Sequence, residues 1–248
     1  MTKAPSQTSF DRPGKGSPSL TQGDLDRILD VHDIWLLGRA GGRRACLRQT
    51  DLSCLDLSGR TLSEADLGGC CLAGATLVGT NLNRANLFAA DLRGANLEHS
   101  QFRRADLRGA RLRGARISHA VFIEADLRCG LQPPQHSGGP GDLFFSLRTD
   151  LSGATLVGAR FPRADLSAAN LSGTVLEGAD FTEATLDGAN LRDADLTAAC
   201  LRYASLRGAD LAGAVLESVD LMLADLTGTA LESTIGAHHS FSRPASPQ

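Results

Sequence analysis

Aromatic residues are scarce in this chain. They make up 4% of its 248 residues, with one Trp and one Tyr, although hydrophobic residues reach 42%. Large aromatic side chains dominate the energetics of most globular cores. Their scarcity argues against a broad globular core and favours a narrow one filled by smaller side chains, as in repeat proteins.

Other familiar signals are missing too. No apolar run reaches 18 residues, so no membrane-spanning helix is predicted. Residues 1–21 contain no apolar segment typical of a secretory signal. The six cysteines show no C-x-x-C spacing, which argues against a zinc site, and reduced thiols are the simplest interpretation. These absences predict a cytoplasmic protein that does not enter a membrane.

What the chain has instead is leucine at every fifth position. One register runs from Leu47 to Leu127 and a second from Leu151 to Leu231, with 34 positions in all. They hold 29 Leu, four Phe and Ile117, and the residue two before each is Ala in 24 of the 34. No polar residue interrupts either register, so these positions form the predicted core.

A period of five fits neither a helix nor a continuous strand, whose periods are about 3.6 and 2. Residues two apart, such as Ala105 and Leu107, face the same side of extended backbone. The chain must then turn before the next pair, and glycine, which tolerates tight turns, is frequent two positions after Leu. Each unit is therefore predicted to be a short extended side followed by a corner.

The units read Ala-(Asp/Asn)-Leu-X-X, as in Ala65-Asp66-Leu67 and Ala189-Asn190-Leu191. Over residues 45–233 the chain resembles the pentapeptide-repeat family. That resemblance implies an all-β solenoid, a right-handed four-sided β-helix with 20 residues per coil, and thus about eight coils. Phe102 and Phe122 lie 20 residues apart, as do Phe161 and Phe181, so each pair is expected to stack.

Composition divides the chain into six segments. Residues 1–20 and 237–248 are expected to be disordered, and 21–44 to form a short N-terminal capping helix and linker. Thr21 and Asp24 have the spacing of a capping box. The first repeat block spans 45–129, a loop insertion 130–148 and the second block 149–236. Leu147 still fits the first register, so the chain is expected to re-enter the wall there.

The loop insertion and the surface charges supply the candidate binding residues. Loops that interrupt a regular scaffold often carry recognition, which singles out Phe144 and Phe145. Outward arginines in the first block and acidic residues in the second, whose net charge is −8, are the other candidates. The alternative for the loop is a tolerated insertion whose phenylalanines cover the flank of the solenoid, and for the charged residues it is a solvated surface that binds nothing. The charged candidates are Arg93, Arg113, Glu177, Asp180, Asp195, Glu217 and Asp220.

No catalytic constellation is visible. No nucleophile–base pair, phosphate loop or carboxylate dyad is apparent, and His99 and His119, also 20 residues apart, are a weak metal signal. An enzyme, a cofactor and direct nucleic-acid binding are therefore not expected. The leading hypothesis is a bacterial protein–protein interaction scaffold with an unidentified protein partner. Because no amphipathic helix follows Leu231, the protein is expected to be a monomer or an end-to-end dimer.

The alternative hypothesis comes from the family resemblance. Its quinolone-resistance members imitate the charge of DNA and bind DNA gyrase. A narrow acidic rod can reproduce part of the field of a duplex and attract DNA-binding proteins. The acidic second block is the segment of this chain that would do so.

Overall fold

A computed structural model describes residues 20–132 and 145–236; the candidate Phe144 lies outside them. Within these ranges the regular elements are α1 (Gln22–Leu36), β1 (Gly130–Gln132) and β2 (Phe145–Leu147). The rest of the repeat region consists of isolated parallel bridges joined by turns. The five-residue unit allows only a very short extended segment before each corner, which explains why single bridges replace long strands.

Within each block a bridge joins residues 20 apart, across the insertion it joins residues 39 apart, as for Arg111 and Asp150, and a new bridge begins every fifth residue. Asp66 pairs with Asn86 and Asn86 with Asp106, so four bridging positions complete one turn of the chain. We call each such turn a coil. Leu87 N–H donates to the Asp106 carbonyl at 2.7 Å, and Asp106 N–H donates back to the Ala85 carbonyl at 3.0 Å. The backbone groups of one coil are thereby satisfied by the next.

The fifth-residue positions form the core. Leu107 and Leu191 are 0% and 1% exposed, which confirms the prediction that they point inward. The preceding small residues, such as Ala105 and Ala189, are buried with them. Burial of one leucine side chain contributes about 2 kcal/mol. The solenoid therefore draws its stability from many equivalent apolar contributions.

Four phenylalanines form one continuous column inside the rod. Ring centroids are separated by 4.5 Å between Phe102 and Phe122, 4.7 Å between Phe122 and Phe161, and 4.9 Å between Phe161 and Phe181. The sequence predicts the first and last of these contacts. The middle one crosses the insertion, so the two blocks share one core.

The insertion leaves the wall as a hairpin. Strands β1 and β2 pair antiparallel, and the wall resumes when Asp150 bridges to Arg111. The expectation that Leu147 re-enters the wall is wrong, because this residue belongs to β2, is partly exposed and lies over Gly109. Thr149 takes the buried small-residue position instead, and its hydroxyl donates to the Arg128 carbonyl at 2.9 Å.

Helix α1 packs across the first coil. Leu25 and Leu29 are 0% exposed and join the solenoid core. The Thr21 side chain accepts a hydrogen bond from Asp24 N–H, and the Asp24 carboxylate accepts from Thr21 N–H, which completes the capping box. The helix thus begins at a fixed point and directs one apolar stripe onto the rod.

Candidate interaction surfaces

Most outward Asp and Asn side chains serve the backbone of their own unit. Asp165 Oδ1 accepts hydrogen bonds from Ser167 N–H at 3.0 Å and from its hydroxyl at 2.6 Å. The same contact from the residue before Leu to the residue after it recurs along the rod, for example at Asp150 and Asn190. Such side chains stabilise the corner, which is a common use of Asp and Asn in turns. Their frequency therefore has a structural cause.

The two candidate arginines of the first block differ. Arg93 forms a bidentate contact with Asp91, through Nε at 2.9 Å to Oδ1 and Nη2 at 2.7 Å to Oδ2. Burial alone would raise the pKa of Asp91, but the hydrogen bonds from Arg93 and the charge of Arg111 outweigh it and lower this pKa. Arg113 is exposed and has no ion pair within residues 20–132 and 145–236. Of the two, Arg113 is the one available to an acidic partner.

A ladder of ion pairs crosses the junction between the blocks. Arg104 Nε donates to the Glu124 carboxylate, and Arg163 Nη2 lies 3.1 Å from the same group. The hydrogen bond from Arg104 and the two guanidinium charges lower the pKa of Glu124. These side chains are outward and partly solvated, so each pair contributes little stability.

The acidic candidates of the second block fall into two groups. Asp180 accepts from Thr182 N–H and hydroxyl at 3.0 and 2.7 Å, and Asp195 accepts similarly from Thr197. Asp220 accepts from Met222 N–H and lies 3.6 Å from Arg202 Nη1. These three carboxylates are held by their own corners.

Glu177 and Glu217 form the other group. They lie on one side of the rod, two coils apart, and both are exposed with no ion pair in the described part of the chain. Thr197 occupies the equivalent position in the coil between them. The free carboxylates are therefore separated, and the candidates do not form a continuous acidic stripe.

The described part of the hairpin lies close to the solenoid wall. The backbone of Phe145 begins β2. Gly130 of β1 lies against the Phe88 ring, and the Arg108 guanidinium stands 5.7 Å from the centroid of that ring. Leu131 is 64% exposed. The base of the hairpin is thus packed on the side of the rod.

An exposed apolar group near the C-terminal end was not predicted from the sequence. Tyr203, Met222 and Leu223 are 52%, 53% and 69% exposed. Tyr203 N–H donates to the Met222 carbonyl at 3.0 Å, so the three residues lie on neighbouring coils. We call them the C-terminal patch. The available signal is that Tyr, Met and Leu occupy outward repeat positions usually filled by small or polar residues.

The last described coil lies beside the patch. Within residues 145–236, no acceptor is found for the N–H groups of Leu221, Leu226 and Leu231, whereas the equivalent Leu201 and Leu206 each donate to the next coil. The side chains of Leu221, Leu226 and Leu231 are only partly buried. Within residues 145–236, this end therefore combines backbone donors that have no acceptor with exposed apolar surface.

The opposite end has side-chain partners for its backbone. The Gln22 amide donates to the Asp56 carbonyl at 2.8 Å and accepts from Asp56 N–H at 3.0 Å, which reproduces the two bonds of a parallel bridge. His32 Nε2 lies 3.0 Å from the Ser63 carbonyl oxygen. Helix α1 thus replaces part of a missing neighbouring coil.

The other sequence signals carry little chemistry. His99 and His119 stack with their ring centroids 5.1 Å apart, and both are exposed. No group of three or more potential metal ligands occurs in the described segments. Burial strongly raises the pKa of the Cys70 thiol, so it is a poor nucleophile. No helix in the described ranges is long and apolar enough to cross a bilayer.

Solved structures of similar proteins share the repeat. HetL, a pentapeptide repeat protein involved in heterocyst differentiation regulation in the cyanobacterium Nostoc sp. strain PCC 7120, is 34% identical over 78% of this chain and 77% of its own, with a TM-score of 0.39. QnrB1, a plasmid-mediated fluoroquinolone resistance protein, is 20% identical over 76% and 92%, with a TM-score of 0.49. A pentapeptide repeat protein of the Arabidopsis thaliana thylakoid lumen is 27% identical over 57% and 71%, with a TM-score of 0.28.

No curated protein sequence matches the chain significantly. The pattern described as pentapeptide repeats matches in eight copies, which cover residues 43–77, 61–98, 90–128, 148–182, 163–197 and 199–235. These ranges span most of both repeat blocks. The chain therefore belongs to the pentapeptide-repeat family, whose members form right-handed β-helices.

Proposed function

We propose that this protein is a non-catalytic scaffold that binds another protein through the C-terminal patch. The scaffold is a four-sided rod of about eight coils, closed at its N-terminal end by α1. The observation that carries the proposal is the position of the exposed large apolar residues of the solenoid wall. They are Val175, Tyr203, Met222, Leu223 and Ile235, all in the second block.

The chemistry of the patch suits a protein partner. Tyr, Met and Arg are enriched in protein interfaces, and Tyr in particular is a frequent hot spot. Tyr203 and Met222 adjoin Arg202, whose Nη2 lies 2.8 Å from the Met222 sulfur. The side chains outside the patch are largely charged or engaged with their own corners, which suits a solvated wall.

The test is site-specific photo-crosslinking in cells, with a benzophenone amino acid in place of Tyr203 or Leu223. The matched control carries it at Glu64, which occupies the same corner position in the first coil. We expect one defined adduct from both patch positions and none from position 64. The adduct should disappear when Met222→Ser is added. Equal labelling from all three positions would contradict the proposal.

The protein's oligomeric state belongs to the same proposal. The open edge at Leu221, Leu226 and Leu231 offers a place where two rods can meet end to end. Light scattering coupled to size exclusion separates a monomer from such a dimer. An adduct at position 203 whose mass is twice that of the chain would identify the second copy as the partner.

A gyrase-directed DNA mimic is the second candidate, and the net charge of −8 in the second block favours it. If it is right, the protein inhibits gyrase supercoiling, and inhibition weakens as salt rises. Replacing Glu177, Glu217, Asp180, Asp195 and Asp220 by their amides should abolish the effect. We expect no inhibition by the wild type at micromolar concentration, because of these five residues only Glu177 and Glu217 have no side-chain hydrogen bond or ion pair in the described part of the chain.

A further inference from the structure

His32 is a buried imidazole at the contact between α1 and the first coil. It is 0% exposed and lies on the same face of the helix as Leu25 and Leu29. The ring of Trp35 stacks on it at 5.5 Å with an angle of 13°. A histidine in such a place needs hydrogen-bond partners for both ring nitrogens.

Both nitrogens have partners, and the partners define the protonation state. Ala45 N–H donates to His32 Nδ1 at 3.2 Å, so Nδ1 must carry the lone pair. The Ser63 carbonyl oxygen lies 3.0 Å from Nε2, so Nε2 must carry the proton. A second proton on Nδ1 would point at the Ala45 N–H. The contact therefore fits neutral imidazole and excludes the imidazolium.

Each surrounding element adds a charged group. Asp33 stands on α1, Arg44 in the segment that joins the helix to the repeats, and Glu64 on the first coil. Burial lowers the pKa of His32 and is the largest influence; the Ser63 contact, Asp33 and Glu64 oppose it, and Arg44 adds to it. Protonation inside the closed contact is therefore disfavoured despite the two carboxylates.

The part of α1 that precedes His32 has its own contacts with the first coil. Arg60 Nη2 lies 2.7 Å from Asp30 Oδ1, and its Nη1 lies 3.6 Å from Asp26 Oδ1. The Gln22 amide, which does not titrate, binds Asp56. Loss of the His32 contact would thus free the end of the helix beyond Asp30, while the part up to Asp30 stays attached through Arg60 and Gln22.

We propose that His32 is a proton-operated latch, which holds the C-terminal half of α1 on the first coil at neutral pH and releases it in mild acid. Above a pH of about 6.5, the ordinary pKa of histidine, both states are neutral and the latch is unaffected. Below it, the released state binds the proton more tightly than the closed state. The ratio of released to closed protein then rises by at most about tenfold per pH unit, until the lowered pKa is passed.

Release would uncover the first coil. Ala45 N–H and the Ser63 carbonyl would lose their partners, and the part of the first coil beneath His32 would meet solvent. An open β edge of this kind is a place for another chain to add. The device would therefore make the N-terminal end of the rod available to partners in acid only.

The test measures amide hydrogen exchange of the full-length protein from pH 7.5 to pH 4.5, with rates corrected for intrinsic pH dependence. We expect faster exchange at Ala45 and at Arg43, whose N–H donates to the Val31 carbonyl, as pH falls below about 6.5. Exchange at Leu107, in the middle of the rod, should not change. Acrylamide quenching of Trp35, the one Trp of the chain, should increase over the same range.

Two variants separate the latch from other titrations. His32→Gln keeps a donor and an acceptor but binds no proton, so the transition should vanish. The double variant His99→Gln/His119→Gln removes the exposed pair and should behave like the wild type. In His32→Gln, the C-terminal half of α1 could already be released at pH 7.5. In that case, the pKa of His32 in the wild type, measured by NMR, tests the proposal.

Three results would overturn the proposal. The first is wild-type Ala45 protection that persists to pH 4.5. The second is a transition in His32→Gln equal to that of the wild type. The third is a pKa for His32 at or above its ordinary value.

Discussion

The two ends of the rod meet the same physical problem in different ways. Among the described residues, each end coil has a neighbouring coil on one side alone, and exposed β edges are a known hazard. At the N-terminal end, Gln22 and His32 supply side-chain partners, and Leu25 and Leu29 cover the core. At the C-terminal end, Leu226 remains partly exposed and its N–H has no acceptor in residues 145–236. At neutral pH, stability and binding capacity are therefore expected to lie at opposite ends of the rod.

The sharpest test of this difference places a charge in the core. Leu107→Asp buries an unpaired carboxylate and should cost at least about 4 kcal/mol of unfolding free energy, and Leu191→Asp should behave alike. Leu226→Asp, at the open end, should cost about 1 kcal/mol or less, since water reaches it. Urea unfolding followed by circular dichroism measures all three. An equally large loss for Leu226→Asp would mean that this end is covered.

A smaller effect is expected from truncating one apolar side chain at each end. Leu29→Ala should cost about 2–4 kcal/mol, because it leaves a cavity between α1 and the first coil. Tyr203→Ala in the exposed C-terminal patch should change stability by less than about 0.5 kcal/mol. Thermal unfolding of the two variants beside the wild type tests the contrast. Comparable losses would show that the patch is part of the folded core.

Removing the insertion should have a still smaller effect. Deletion of residues 130–148 joins Cys129 to Thr149 and restores the five-residue phase. The Phe122–Phe161 contact and the Asp150–Arg111 bridge lie outside the deleted segment. Shortening a loop changes closure entropy by only about 1 kcal/mol, so the variant should fold. Aggregation, or loss of β-type circular dichroism, would show that β1 and β2 support the wall.

The smallest effect concerns the ion-pair ladder. Glu124→Gln removes the group shared by Arg104 and Arg163 and should lower the melting temperature slightly at low salt and not at all in 1 M salt. Because the pKa of Glu124 is lowered, its contribution is present at neutral pH and lost as pH falls through that value. Glu177→Gln, which removes no ion pair in the described residues, is the control. A decrease in melting temperature that does not depend on salt would contradict the prediction that these ion pairs stabilise the protein.

The repeat determines most of the fold directly. Because leucine recurs at every fifth position, as at Leu107, the sequence alone predicts that these side chains point into the core. The junction was harder to predict. Leu127 and Leu151 are 24 residues apart, which is one unit plus the 19 residues of the insertion. This spacing indicates that the solenoid wall continues from Leu127 to Leu151 as if the insertion were absent. Leu147 fits the five-residue period of the first block but does not lie in the wall.

The candidate site was less predictable because outward positions tolerate many residues. Charge alone did not distinguish Asp180, which is bound to its own corner, from Glu177, which is free. That distinction depends on whether the residue precedes or follows Leu. The C-terminal patch was missed since Tyr203 and Leu223 look ordinary one at a time. Their proximity becomes apparent only when residues 20 apart in the sequence are compared.

The corners of the rod differ in whether they contain glycine. Each corner adopts a positive φ, a conformation that glycine accepts freely and that costs most other residues about 1 kcal/mol. Eighteen described corners nevertheless lack glycine. Among them are Arg104, Glu124, His119, Tyr203 and Leu223, which form the ladder, the stacked pair and the patch. A corner without glycine therefore accepts backbone strain and gains an outward side chain, which in the ladder and the stacked pair contacts the next coil and in the patch lies exposed.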